Sequence, residues 1–130
     1  MEQSSFPSLV GHQYISLTTF RKNGQGVSTP VWFAERDGKL YVYTDAKAWK
    51  LKRITNNPHV TVAPCTFRGK LLGEVLEGSA RVLTTPEERK LANDTLNSKY
   101  GFIKRFLNFL ARLMGGKEED DAYIEIAPAS

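Results

Sequence analysis

The sequence predicts a mainly β protein of the α+β class, a small antiparallel barrel or curled sheet with short flanking helices. Three observations predict it. Five or six short segments rich in β-branched and aromatic residues follow one another at hairpin spacing. Two of the connections carry tight-turn dipeptides, Asn23-Gly24 and Asp37-Gly38. One short basic helix interrupts the strands and a helical pair follows them.

In chain order, "QYISLTTF" at residues 13–20 and "VSTPVWFAE" after "RKNGQG" read as a hairpin. Asp37-Gly38 then turns the chain into "KLYVY", where Leu40 and Val42 alternate with Tyr41 and Tyr43. Asp45 is placed to N-cap a short helix whose apolar positions Ala48, Leu51 and Ile54 recur at helical spacing, and Asn56, Asn57 and Pro58 stop it. "HVTVAPC" resumes the β pattern, and "FRGK" reads as a turn. "GEVLEGSARVL" sets Leu76, Gly78, Ala80 and Val82 on one face and Glu77, Ser79 and Arg81 on the other, its small residues predicting close backbone approach. Thr85-Pro86-Glu87-Glu88 is a capping box with proline at the first helical position, which predicts a helix from about Pro86 to near Lys99. A second helical stretch over 102–114, with Phe102, Phe106, Phe109, Leu110 and Leu113 on one broad face, precedes a closing strand, "AYIEIAP".

A chain of 130 residues with 41% apolar content suits one domain spanning 1–130. One cysteine, Cys65, leaves no internal disulfide framework, as is usual in a reducing compartment. With neither a leader-like apolar run near the start nor a membrane-length one, the expected location is the cytoplasm. The net charge of +4 is mild for a nucleic-acid binder, whose affinity rests on several phosphate contacts at once. Its distribution says more, because six basic residues and no acid lie between Ala46 and Gly73, while Glu118, Glu119, Asp120 and Asp121 form a compensating acidic run.

A self-sufficient catalytic apparatus is missing. His12 and His59 have no metal-ligand spacing, and Cys65 has no partner cysteine, so no metal centre is expected. The chain has neither a Walker loop nor a dinucleotide fingerprint, since "NGQG" precedes a strand. What remains suits the holding of a phosphorylated cofactor. Thr44 ends a strand with a hydroxyl, Lys47 joins Lys50, and Lys50 and Arg53 stand three apart on one helical face within reach of one anion. In "STPVWF", Pro30 stands where a central strand would need its amide, so part of that backbone is free to meet the edge of a planar ring.

The strings "TTFRKNGQGVSTPVWF", "LYVYT", "KLKRITNNPHVTVAPC", "RGK" and "EGSARVL" together resemble the flavin-binding split-barrel proteins related to pyridoxamine 5′-phosphate oxidase, in particular the short branch often labelled deazaflavin (coenzyme F-420) dependent. The resemblance covers Leu9 to Leu83 closely and the remainder loosely. It implies a six-stranded antiparallel split barrel, a homodimer with cofactor sites at the subunit interface, and FMN or coenzyme F-420 as cofactor. Ser28, Thr29, Pro30 and Val31 would line the ring, and Thr44, Lys50, Lys52 and Arg53 would hold the phosphate, with Trp49 and a Pro64-Cys65 turn nearby. It also implies hydride transfer between that cofactor and a small organic substrate, the protein supplying binding and orientation. Vitamin oxidases of the superfamily have a longer C-terminal region than "YIEIAPAS" supplies, which speaks against pyridoxamine phosphate oxidation itself. Two other classes stand beside the oxidoreductase: a non-catalytic flavin carrier or sensor, and a basic nucleic-acid-binding module using the helices at 47–53 and 102–114.

Overall fold

The computed structural model describes residues 6–100 and 121–129. The helix expected at 102–114 and the acidic residues Glu118, Glu119 and Asp120 lie outside the described residues. After a single 3-10 turn at Pro7–Leu9 come β1 (Tyr14–Phe20), β2 (Gly26–Arg36), β3 (Lys39–Asp45), α1 (Trp49–Asn56), β4 (His59–Cys65), β5 (Leu76–Val82), α2 (Pro86–Tyr100) and β6 (Asp121–Pro128).

All the strand pairs are antiparallel, and the six strands close into a barrel in the order β1-β2-β3-β6-β5-β4. Closure removes the free edges that so many short strands would otherwise expose. Alternation along each strand fills the interior with Ile15, Leu17, Phe33, Val42, Val62 and Ile124, all at most 2% exposed. The turns are those the dipeptides predict. Asp37 and Gly38 both take positive φ, 53° and 78°, as a two-residue hairpin loop between right-twisted strands requires.

One face of α2 packs outside the barrel, where Ala92 and Leu96 meet Ala34, Tyr41 and Tyr123. Its start is the expected capping box: Glu88 N–H donates to Thr85 Oγ1 at 3.2 Å while the Thr85 hydroxyl donates to Glu88 Oε1 at 2.8 Å. Helix α1 packs on the barrel through buried Ile54 and half-buried Leu51. It begins later than the sequence suggests. Asp45 closes β3 and its carboxylate accepts the Lys47 amide at 2.7 Å, so it organises the turn before the helix, and Ala48 takes the N-cap position without a side-chain bond. Pro64 and Cys65 likewise belong to β4 rather than to a turn, paired with Ile15 and Tyr14 of β1.

The barrel is not evenly laced. β2 pairs with β1 along Gly26 to Trp32, but its ladder with β3 begins only at Phe33↔Val42 and runs to Arg36↔Lys39. Among the described residues, β2 therefore has a ladder on one side only over Ser28 to Val31, and β3 has already turned to pair Tyr43 and Thr44 with Tyr123 and Ala122 of β6. Pro30 lies in this parted segment, where no second ladder needs its missing amide.

Candidate functional site

The strand period divides the residues expected to line a ring. Val31 is buried in the barrel core, and Thr29, two positions away, shares its face, whereas Ser28 and Pro30 face outward. Ser28 Oγ lies 2.6 Å from Thr18 Oγ1 on the outer wall. Backbone rather than a common side-chain surface is thus what the four present together along the parted edge.

Three threonine hydroxyls mark this region of the barrel wall, two of them bonded to α1. Thr19 Oγ1 accepts a hydrogen bond from Arg53 Nε at 2.6 Å, and Thr44 Oγ1 accepts one from Lys50 Nζ at 3.4 Å. The third hydroxyl, Thr29 Oγ1, is buried without a hydrogen-bond partner. Such an orphaned polar atom carries a free-energy cost that a ligand's polar edge would remove. The β1–β2 register links two of them, setting Thr19 against Val27 and Thr29 against Leu17, whereas Thr44 pairs with Ala122 of β6.

The charges of α1 separate into two groups. Lys50 turns towards Thr44, and burial, followed by the nearby Arg53 guanidinium, lowers its pKa. Lys52 lies instead over the face of Trp49, 5.4 Å from the ring centre, in a cation–π contact, and that indole is 68% exposed. Lys52, Trp49 and Arg53 line a groove of about 700 Å³ together with Phe20, Arg21 and Lys22 at the end of β1. Asn56 and Asn57 join them, and no carboxylate is among the described residues of the lining. Arg53 joins both groups, and burial and the closeness of Arg21 depress its pKa.

Arg21 and Lys22 escaped the sequence reading. They sit in "RKNGQG", whose Asn-Gly signal reads as a turn, and nothing in a linear pattern says which helix will lie beside that turn. The turn itself is well fixed: Gly24 N–H donates to Arg21 O at 2.8 Å, and Arg21 Nη1 donates to Gln25 Oε1 at 3.1 Å.

The remaining chemical candidates fall away on geometry. Cys65 is buried, and burial raises its thiol pKa, so it is held as the unreactive thiol. His59 stacks on Phe20 at 5.3 Å and lies 3.9 Å from Glu77. Among the described residues no group of three metal-ligating side chains exists, and no helix is long and apolar enough to cross a membrane.

Comparison with known proteins agrees with the barrel fold. The family model for pyridoxamine 5′-phosphate oxidase matches residues 5–128. No curated protein sequence matches the chain. Among solved structures, General Stress Protein 26 from Bacillus anthracis is similar at 28% identity and a TM-score of 0.61, covering 93% of this chain and 83% of its own. An F420 reductase is similar at 20% identity and a TM-score of 0.60, covering 100% and 97%. A FAD-binding protein from Mesorhizobium loti is similar at 18% identity and a TM-score of 0.66, covering 95% and 86%. At identities this low the last two attest the fold alone.

Proposed function

This chain belongs to the pyridoxamine 5′-phosphate oxidase family, and on that premise we propose that it is an oxidoreductase of the flavin-binding split-barrel type. It takes FMN or coenzyme F-420 non-covalently and passes a hydride to or from a small organic substrate. When bound, the ring supplies the redox chemistry, and the chain supplies binding and orientation. Lys50 and Arg53, with the Thr44 hydroxyl, would hold the phosphate, and the backbone of Ser28 to Val31 would meet the edge of the ring, with Trp49 and the Lys52 that lies over it as an outer wall.

The observation that carries this reading is the pairing of a cationic corner on α1 with the parted β2 edge, where Thr29 Oγ1 is buried and unsatisfied. The donors suit an anion, and the open backbone and orphaned hydroxyl suit the polar rim of a planar ring. We place the whole of 1–130 in one such domain. Two copies forming a homodimer would cover Phe67, Leu71, Leu72 and Val75, which are at least half exposed. A buried, unpaired Cys65 suits a reducing cytoplasm.

Titration of the purified protein with FMN and with coenzyme F-420, followed by fluorescence quenching, tests the proposal. Saturable binding of one of them is expected, and binding of neither would overturn it. A second reading, a flavin carrier without turnover, is favoured by a groove whose described polar lining is entirely cations and amides. Stopped-flow mixing of the reduced complex with organic acceptors separates the two: rapid reoxidation by one specific compound excludes the passive role.

A further inference from the structure

We infer that the side-chain amine of Lys99 is a modification site, acylated directly by small acyl phosphates without a second protein. The inference is independent of the flavin-type reading, because Lys99 meets the loop that precedes β1, at the other end of that strand from Thr19 and the α1 corner.

Three parts of the fold converge on this nitrogen. Lys99 lies in the last turn of α2, and its Nζ crosses to the loop before β1, donating to His12 O at 2.5 Å. Beneath it lies the ring of Phe33, a buried core residue of β2, with Nζ 3.5 Å from the ring centre. The nitrogen is therefore pinned between an aromatic face and a carbonyl, while the residue as a whole remains exposed to a small reagent. An ammonium on open surface is strongly hydrated and sweeps a wide volume on its flexible stem. Holding the nitrogen in one place lowers the orientational cost of an attack.

The same surroundings set its protonation. Burial lowers the pKa to about 8; Glu35 of β2 pulls the other way, and His12 meets the amine through its backbone oxygen. At about pH 7.5, about a quarter of the chains then carry a neutral, nucleophilic amine, against about a thousandth for an ordinary lysine. An acyl phosphate completes the reaction. The Nζ lone pair attacks the acyl carbon, the C–N bond forms as the C–O bond to phosphate breaks, inorganic phosphate leaves, and the surplus proton on nitrogen passes to water. The product is an uncharged amide, so the ion that burial disfavours is gone and the Phe33 ring loses its cation.

The experiment incubates the full chain with acetyl phosphate between about pH 7 and about pH 10 and follows each lysine by peptide mass spectrometry, with the exposed Lys22 and Lys90 as internal references. At about pH 7.5 Lys99 is expected to react about tenfold faster than either, a smaller ratio than that of the neutral fractions because a less basic amine is a weaker nucleophile. Its rate should level off above about pH 8.5 while the references keep rising. A Glu35→Gln variant, its fold checked by thermal melt, lacks the carboxylate that favours the charged amine, so Lys99 should react faster still at about pH 7 with Lys22 and Lys90 unchanged. Lys99 reacting no faster than the references in both chains, or a profile that climbs in parallel with theirs to about pH 10, would overturn the inference.

Discussion

Arg53 donates its Nε–H to Thr19 Oγ1 at 2.6 Å, which fastens the second turn of α1 to β1. A guanidinium has five N–H donors in a fixed fork, so this bond orients the group and leaves donors for an anion. Lys50 is held to Thr44 in the same way, but by a longer and weaker contact of 3.4 Å.

Arg53→Ala and Lys50→Ala are therefore expected to weaken cofactor affinity by about 1–3 kcal/mol each, the range of a charge-assisted contact. Isothermal titration with the binding coenzyme measures it. Thr19→Val tests the orienting role separately, with a smaller loss than Arg53→Ala. Unchanged affinity in both cation variants would mean that the phosphate lies elsewhere.

Gly78→Ala should destabilise the barrel. A Cβ at Gly78 would stand 2.8 Å from Ile126 Cγ2 and 3.0 Å from the backbone oxygen of Ala127, inside a packed wall with no flexible group to yield. Overpacking of this kind costs about 1–3 kcal/mol. Urea unfolding reads the loss, and a midpoint equal to that of the wild type would contradict it.

On the outer wall, Glu125 is gripped by three residues of two strands, β3 and β5. Arg81 donates from Nε at 3.1 Å and from Nη2 at 3.3 Å, Tyr41 donates its hydroxyl at 3.3 Å, and Lys39 stands 3.6 Å away. Arg81 also bridges to Glu88 of α2, and Thr85 followed by Arg81 holds the Glu88 carboxyl below its usual pKa. Arg81→Met is expected to cost about 1–2 kcal/mol, the lower part of the charged hydrogen-bond range, because that side chain keeps water on one side. Lys39→Met should cost less, and chemical denaturation of the two variants ranks them.

Lys99 gives a pH signature. Its ammonium donates to His12 O at 2.5 Å and lies 3.5 Å from the Phe33 ring centre. Burial there lowers its pKa from 10.5 to about 8, against the pull of Glu35. Between those values the unfolded chain retains a proton that the folded chain has released, so this residue's contribution to stability rises with pH across that window. The increment is small, because the residue as a whole is exposed. Thermal melts of the wild type and Lys99→Met at about pH 7.5 and about pH 10 should shift relative to each other in favour of the wild type at the higher value, and parallel shifts would contradict the assignment.

Much of the architecture was legible because it rests on local rules. Alternation in "KLYVY", the Asp37-Gly38 turn and the Thr85/Glu88 box each follow from the preferences of a few adjacent residues, and Gly78 announced the close approach that Ile126 makes. The site was legible only in part. The cluster at Lys50 to Arg53 is contiguous in the chain, but which of its members reach Thr44 and Thr19 depends on where α1 seats against the barrel. Asp45 was misplaced as a cap because an aspartate serves a turn and a helix start by the same carboxylate–amide bond. Arg21 and Lys22 needed the closed barrel to bring a hairpin end beside α1, and the Glu125 network needed β3, β5 and α2 to converge on β6.

The early parting of β2 from β3 has a further consequence for the protein at high concentration. A stretch of strand lacking a second neighbour is a template on which a foreign strand, or another copy, can extend the sheet without limit. Pro30 interrupts that template at its middle by withholding a donor, so replacing it with valine is a route to fibrous aggregates even if the monomer keeps its shape.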